Sequence, residues 1–122
     1  MAIRKNYIDR SDIDGMFRDL SSYANGITAT ASGTQTTAYA LSATYNRVTT
    51  VATAGDAVKL PKAVNGSSFY VFNTSANSMN VFPNTGDAIN ALSANAAYAL
   101  AAGKGAEFIC MVNGTWNTML SA

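Results

Sequence analysis

Histidine is absent from the 122 residues. That removes the commonest general base, the commonest transition-metal ligand and the usual physiological pH switch. Cysteine occurs once, at Cys110, which excludes an intrachain disulfide and a cysteine-based zinc site. Within the apolar run "EFICMV" it reads as a small buried hydrophobe. Charge is scarce: 12% of residues are Asp, Glu, Lys or Arg, against about 25% in ordinary soluble domains. The net charge is +1, without the clustered Lys and Arg of a nucleic-acid surface. No apolar run approaches the roughly 20 residues that span a bilayer, and "MAIRKNYIDR" has no signal-peptide core. The expectation is a protein made in the cytoplasm, with no membrane or nucleic-acid partner.

Apolar residues make up 48% of the chain, much of it Ala, and Thr, Ser and Asn take the place of charges. The length suits one domain with an additional arm. Residues 1–20 hold Arg4, Lys5, Asp9, Arg10, Asp12, Asp14, Arg18 and Asp19, more than half of the 8 basic and 7 acidic residues. This charge boundary separates an N-terminal arm and connector, 1–36, from a body, 37–122. Within the arm, Ser11 is a helix N-cap candidate, Asp12 and Asp14 suit a first turn, and Asn25-Gly26 is a stop signal. Ile13, Phe17 and Leu20, with Met16, share one helical face, interrupted by Gly15. Such a helix either packs on its own body or docks on a neighbouring subunit or larger assembly. "GITATASGTQTTAYALSA" then reads as an extended connector.

From about residue 37 the pattern is that of β-structure. "NRVTTVAT", "AVKLP", "SFYVFN", "MNVFP", "AIN", "AAYAL", "GAEFICMV" and "WNTML" are short β-rich runs separated by turn signals, with Pro61 and Pro83 as terminators. "NALSANAAYALAAG" also suits a helix by composition, but its alternation around Tyr98 and Leu100 favours a strand. About eight short strands at this spacing predict an all-β jelly-roll-like or Greek-key sandwich with an extended or partly helical N-terminal arm.

One motif recurs: "TAGDAV" at 53–58 and "NTGDAI" at 84–89. A calcium or magnesium loop needs several converging oxygens, and each copy supplies one carboxylate. Gly55-Asp56 and Gly86-Asp87 therefore read as structural turns, Gly for its positive φ and Asp for its bonds to nearby amides. Asn113-Gly114 reads as a hairpin turn. "AAGKGA" lacks the spacing and following helix of a phosphate loop. Ser-Lys chemistry has lysines at hand in Lys59, Lys62 and Lys104 but no motif. The three Asn-x-Ser/Thr sequons read as turns. Packing accounts for most of Phe69, Tyr70, Phe72, Phe82, Tyr98, Phe108 and Trp116. The expectation is no catalytic residue, no metal and no cofactor. A β-body this poor in charge suits one whose surface is covered by copies of itself.

Residues 40–120 resemble small tailed-bacteriophage virion proteins and fibre modules. The shared pattern runs through "NRVTTVATAGDAVKLP" at Asn46–Pro61, "VFN" at Val71–Asn73, "NSMNVFP" at Asn77–Pro83, "GDAIN" at Gly86–Asn90, "LAAG" at Leu100–Gly103, "FIC" at Phe108–Cys110 and "GTW" at Gly114–Trp116. The resemblance implies a compact, often oligomeric β-domain outside a phage particle. The short chain, without a long shaft or an enzymatic domain, favours a capsid decoration (cement) protein. Such a protein would bind the major capsid protein on the outer capsid surface as a homo-oligomer, a trimer ahead of a dimer, and stabilise the shell. Residues 1–36 lie outside the shared pattern. The charge boundary makes Arg4, Tyr7, Ile8, Arg10, Ile13, Phe17 and Arg18 the capsid-binding candidates. The alternative is a receptor- or carbohydrate-binding head or tail fibre module, reading its ligand through Tyr98, Asn77 and Asn95. A Ser-Lys or carboxylate hydrolase ranks last.

Overall fold

A computed structural model describes residues 22–122, and they form an all-β body of ten strands in two mixed sheets. The strands are β1 (Tyr23–Thr28), β2 (Tyr39–Ala40), β3 (Tyr45–Thr50), β4 (Ala57–Lys59), β5 (Ser68–Asn73), β6 (Met79–Phe82), β7 (Ala88–Ile89), β8 (Tyr98–Leu100), β9 (Gly105–Val112) and β10 (Thr115–Leu120). The larger sheet has the order β1-β3-β5-β9-β10-β7, and the smaller β2-β4-β6-β8.

The chain alternates between the sheets from β1 to β9, and the early neighbours are parallel. β1 pairs with β3, β3 with β5, β2 with β4 and β4 with β6, all in parallel. Parallel neighbours need a crossover between them; here each crossover is a strand of the opposite sheet. The result is a short β-solenoid, not the expected jelly roll or Greek-key sandwich, whose neighbouring strands run antiparallel. Its end is closed differently. β7 leaves a gap beside β5, and the antiparallel β9–β10 hairpin fills it, β9 against β5 and β10 parallel to β7.

The eight expected strand runs correspond to β3 through β10. Two strands were not foreseen. β1 contains the Asn25-Gly26 pair read as a helix stop: Gly26 takes φ 78°, and the pairing with β3 is irregular between Asn25 and Ile27. Tertiary pairing thus overrides the stop signal, and residues 23–28 belong to the sheet. The helix expected from Ser11 to the Asn25-Gly26 stop is thus replaced by strand over residues 23–26, and its residues up to 21 lie outside the described ones.

Alternation then builds the core. Val48, Val58, Val71, Met79, Val81, Ile89, Leu100, Phe108 and Trp116 are fully buried between the sheets. Each contributes about 1.5–3 kcal/mol by leaving water. Trp116 meets Phe69 edge to face at 5.6 Å, and Tyr98 meets Phe108 at 5.9 Å. Among the described residues the buried Trp116 indole N–H has no hydrogen-bond partner, a cost that offsets part of the gain from its apolar surface. Pro61 and Pro83 lie just beyond β4 and β6, where a missing N–H interrupts no ladder.

On the outside of the larger sheet, Phe72 pairs with Gly105, and a Cβ at Gly105 would clash with the edge of the Phe72 ring. Gly105→Ala is expected to destabilise the fold by about 1–3 kcal/mol, the usual range for overpacking. In a Phe72→Ala background the same substitution should cost a few tenths of that. A double-mutant cycle in urea measures the difference, and equal costs in both backgrounds would refute the steric account.

Candidate functional site

The two Gly-Asp motifs occupy different flanks of the solenoid. "TAGD" carries the chain from β3 in the larger sheet to β4 in the smaller, and "NTGD" carries it back from β6 to β7. Gly55 and Gly86 have φ of 95° and 88°, in the region glycine tolerates best. Both aspartates are buried and serve backbone amides. Asp56 Oδ1 accepts from Ser32 N at 3.1 Å, in the preceding coil, and its Oδ2 accepts from Thr53 N at 3.0 Å. Asp87 Oδ2 accepts from Ala63 N at 2.7 Å, again across to the previous coil. The carboxylates are inter-coil latches. Among the described residues no group of three or more His, Cys, Asp or Glu side chains gathers as a metal site.

Asparagines extend this system. Asn73 Nδ2 donates to Asn77 O at 2.8 Å and Leu100 O at 3.1 Å, while its Oδ1 accepts from Ser75 N. Asn77 Nδ2 donates to Val51 O at 2.8 Å, one coil back. Asn95 Oδ1 accepts from Gly86 N at 2.7 Å and Gln35 Nε2 at 3.0 Å. Asn113 Oδ1 accepts from Asn65 N at 2.8 Å, and Gly114 has φ 89° in the β9–β10 turn. Asn77 and Asn95, two of the residues considered for ligand recognition, are thus engaged in bracing loops. The third, Tyr98, packs against Phe108. Arg4, Tyr7, Ile8, Arg10, Ile13, Phe17 and Arg18 lie outside the described residues.

The outer face of the larger sheet carries what the sequence reading did not single out. In-register pairing sets Tyr23, Tyr45, Tyr70, Glu107 and Met119 side by side across β1, β3, β5, β9 and β10. Tyr45 and Tyr70 stack with centroids 4.9 Å apart and planes 19° apart. The next row holds Asn25, Arg47 and Phe72, and Arg47 Nη1 donates to Asn25 Oδ1 at 2.9 Å. A groove of about 300 Å³ lies between the rows, over the Ala24 and Asn46 backbone. On β9 and β10 the face carries Ile109, Met111 and Met119, with Glu107 and Asn117 among them. The available signal was a tyrosine at or near the start of three strands, visible only once those strands are known to be parallel.

Electrostatics on this face centre on Glu107. It accepts from Ser68 Oγ at 2.8 Å. Its hydrogen bond with the Tyr70 phenol, with desolvation and the carboxylate charge adding to it, holds that phenol above its ordinary value. The arrangement offers aromatic rings, a donor-rich Asn–Arg pair and exposed methionines. These are the components of a binding surface.

No protein-family model, curated protein or solved structure matches the chain. Residues 22–122 form a short, hairpin-closed β-solenoid with an aromatic outer face.

Two measurements check this account. Asp87 uses one oxygen as acceptor, so Asp87→Asn should retain most of the stability that Asp87→Ala loses, about 1–3 kcal/mol for an orphaned buried amide. Asp56 uses both oxygens, so Asp56→Asn should cost nearly as much as Asp56→Ala; chemical denaturation of the four variants reads the contrast. For Tyr70, spectrophotometric titration should show a phenol ionising above the ordinary range, and Glu107→Gln should bring it down. The raised value means that its stabilising contribution is present below the ordinary phenol range and lost as pH rises through the raised one.

Proposed function

We propose that this chain is a structural protein of a tailed-bacteriophage particle. In this reading it is a capsid decoration protein that binds the outer capsid surface as a homo-oligomer and stabilises the shell. The support is the resemblance over residues 40–120 together with one structural observation, the exposed methionines on the outer face of the closing hairpin. Met111 and Met119 are 66% and 64% exposed, on strands that end a body with few charges. Side chains of this kind are costly to leave in water and are covered economically by a second copy. Methionine suits such a contact because its flexible thioether adapts to the opposing surface.

The mechanism is binding energy. Contacts made at capsomer junctions raise the barrier to opening the shell under the pressure of packaged DNA. An N-terminal arm carrying Arg4, Tyr7, Ile8, Arg10, Ile13, Phe17 and Arg18 spreads the attachment over neighbouring capsomers, so several weak contacts act together. The oligomer is a trimer in this reading, matching three-fold and quasi-three-fold sites.

The test uses the protein and the particle together. Met111→Lys with Met119→Lys should convert the oligomer to a monomer in sedimentation while leaving its circular dichroism unchanged. Removing residues 1–20 should abolish binding to capsids, and particles lacking the protein should release DNA at a lower temperature. Wild-type protein that is monomeric and indifferent to capsids would overturn the reading.

A further inference from the structure

The groove between β1 and β3 lies apart from Met111 and Met119 of the closing hairpin, and none of its lining residues belongs to β9 or β10. Tyr45 lies between β1 and β5 in the sheet and stacks one ring face on Tyr70. Its other face therefore looks toward β1, where Tyr23 is in register but stands 82% exposed. Both tyrosines line the groove of about 300 Å³, together with Phe72, Arg47 and Asn25. Within this lining Arg47 Nη1 donates to Asn25 Oδ1. Among the described residues the Asn25 amide nitrogen and the remaining guanidinium nitrogens have no acceptor, which leaves them as donors beside the rings.

We propose that this groove is a saccharide-binding site, in which a pyranose ring lies on the open face of Tyr45 beside Tyr23 while Asn25 and Arg47 donate to its ring-edge oxygens. A pyranose is apolar on the C–H face and rich in acceptor oxygens around its rim. The groove presents the same division in complement: aromatic surface on one side, planar nitrogen donors on the other. Size favours the same ligand. About 300 Å³ is the lower end of small-ligand sites and takes one or two sugar rings. A stable protein partner covers about 800 Å² on each side, far more than the groove. Nucleic acid is disfavoured because phosphate contacts dominate its affinity, and among the described residues the groove is lined by a single cation, in a chain of net charge +1. The site differs from Tyr98, Asn77 and Asn95, and it does not depend on a capsid role.

The full-length protein is applied to an array of neutral and acidic bacterial oligosaccharides, and the strongest hit is titrated by calorimetry. Wild-type protein should bind a defined subset. Tyr23→Ala, at a site exposed enough to leave the fold intact, should weaken binding roughly tenfold, the scale of one lost aromatic contact. Tyr45→Ala should abolish it, and Arg47→Gln should weaken acidic sugars more than neutral ones. Leu92→Ala, exposed and outside the groove, should bind as wild type. Absence of binding to every oligosaccharide, or unchanged affinity in Tyr23→Ala, overturns the proposal. So does a concentration-dependent dimer, seen by light scattering and lost in Tyr23→Ala, because a second copy would then occupy the groove.

Discussion

A chain that passes from sheet to sheet leaves backbone amides and carbonyls at every corner with no strand to pair them, and burial makes each one costly. The solenoid rests on how those groups are satisfied. Asp56 takes the Ser32 amide of the coil before it, Asp87 takes the Ala63 amide, and Asn77 gives its amide to the Val51 carbonyl. Asn73 closes its own corner and reaches the end of β8. A short polar side chain at a corner thus fixes both the local turn and the position of the adjacent coil. Ser, Thr, Asn and Asp in the loops are consequently part of the frame.

That frame makes the outer face regular. Parallel in-register pairing sets equivalent residues one strand spacing apart, about 4.8 Å, which is the spacing at which rings stack. Tyr45 and Tyr70 follow from it directly. Gly105 opens the place that Phe72 covers. The face is divided, with tyrosines, Phe72 and Arg47 on the solenoid coils and Ile109, Met111 and Met119 on the closing hairpin beside Glu107. The two proposed uses, sugar recognition and self-association, fall on the two halves.

Much of the local structure is legible in the residues. The runs that became β3 to β10 are marked by β-branched and aromatic residues between Gly, Pro and Asn, because those residues act on φ and hydrogen bonding within a few positions. Asp56 and Asp87 are also legible as turn-formers, since neither has a neighbouring carboxylate or histidine to work with. β1 is not legible: "YANGIT" contains Asn25-Gly26, and only pairing with β3 accommodates Gly26 as an irregularity inside a strand. β2, at two residues, is too short to leave a pattern.

By itself, then, the sequence determined an all-β body with few charges, its turn positions and the place of most of its strands, because each of these depends on near neighbours. Direction of pairing was decided only in three dimensions. A turn such as "TAGD" has the same chemistry whether the next strand returns in the same sheet or crosses to another. The choice depends on which partner buries Val48, Val58 and Val71 together, and those partners are far apart along the chain. The aromatic face followed that choice. Tyr23, Tyr45 and Tyr70 are isolated tyrosines in the sequence and become one surface when three parallel strands place them at the same level.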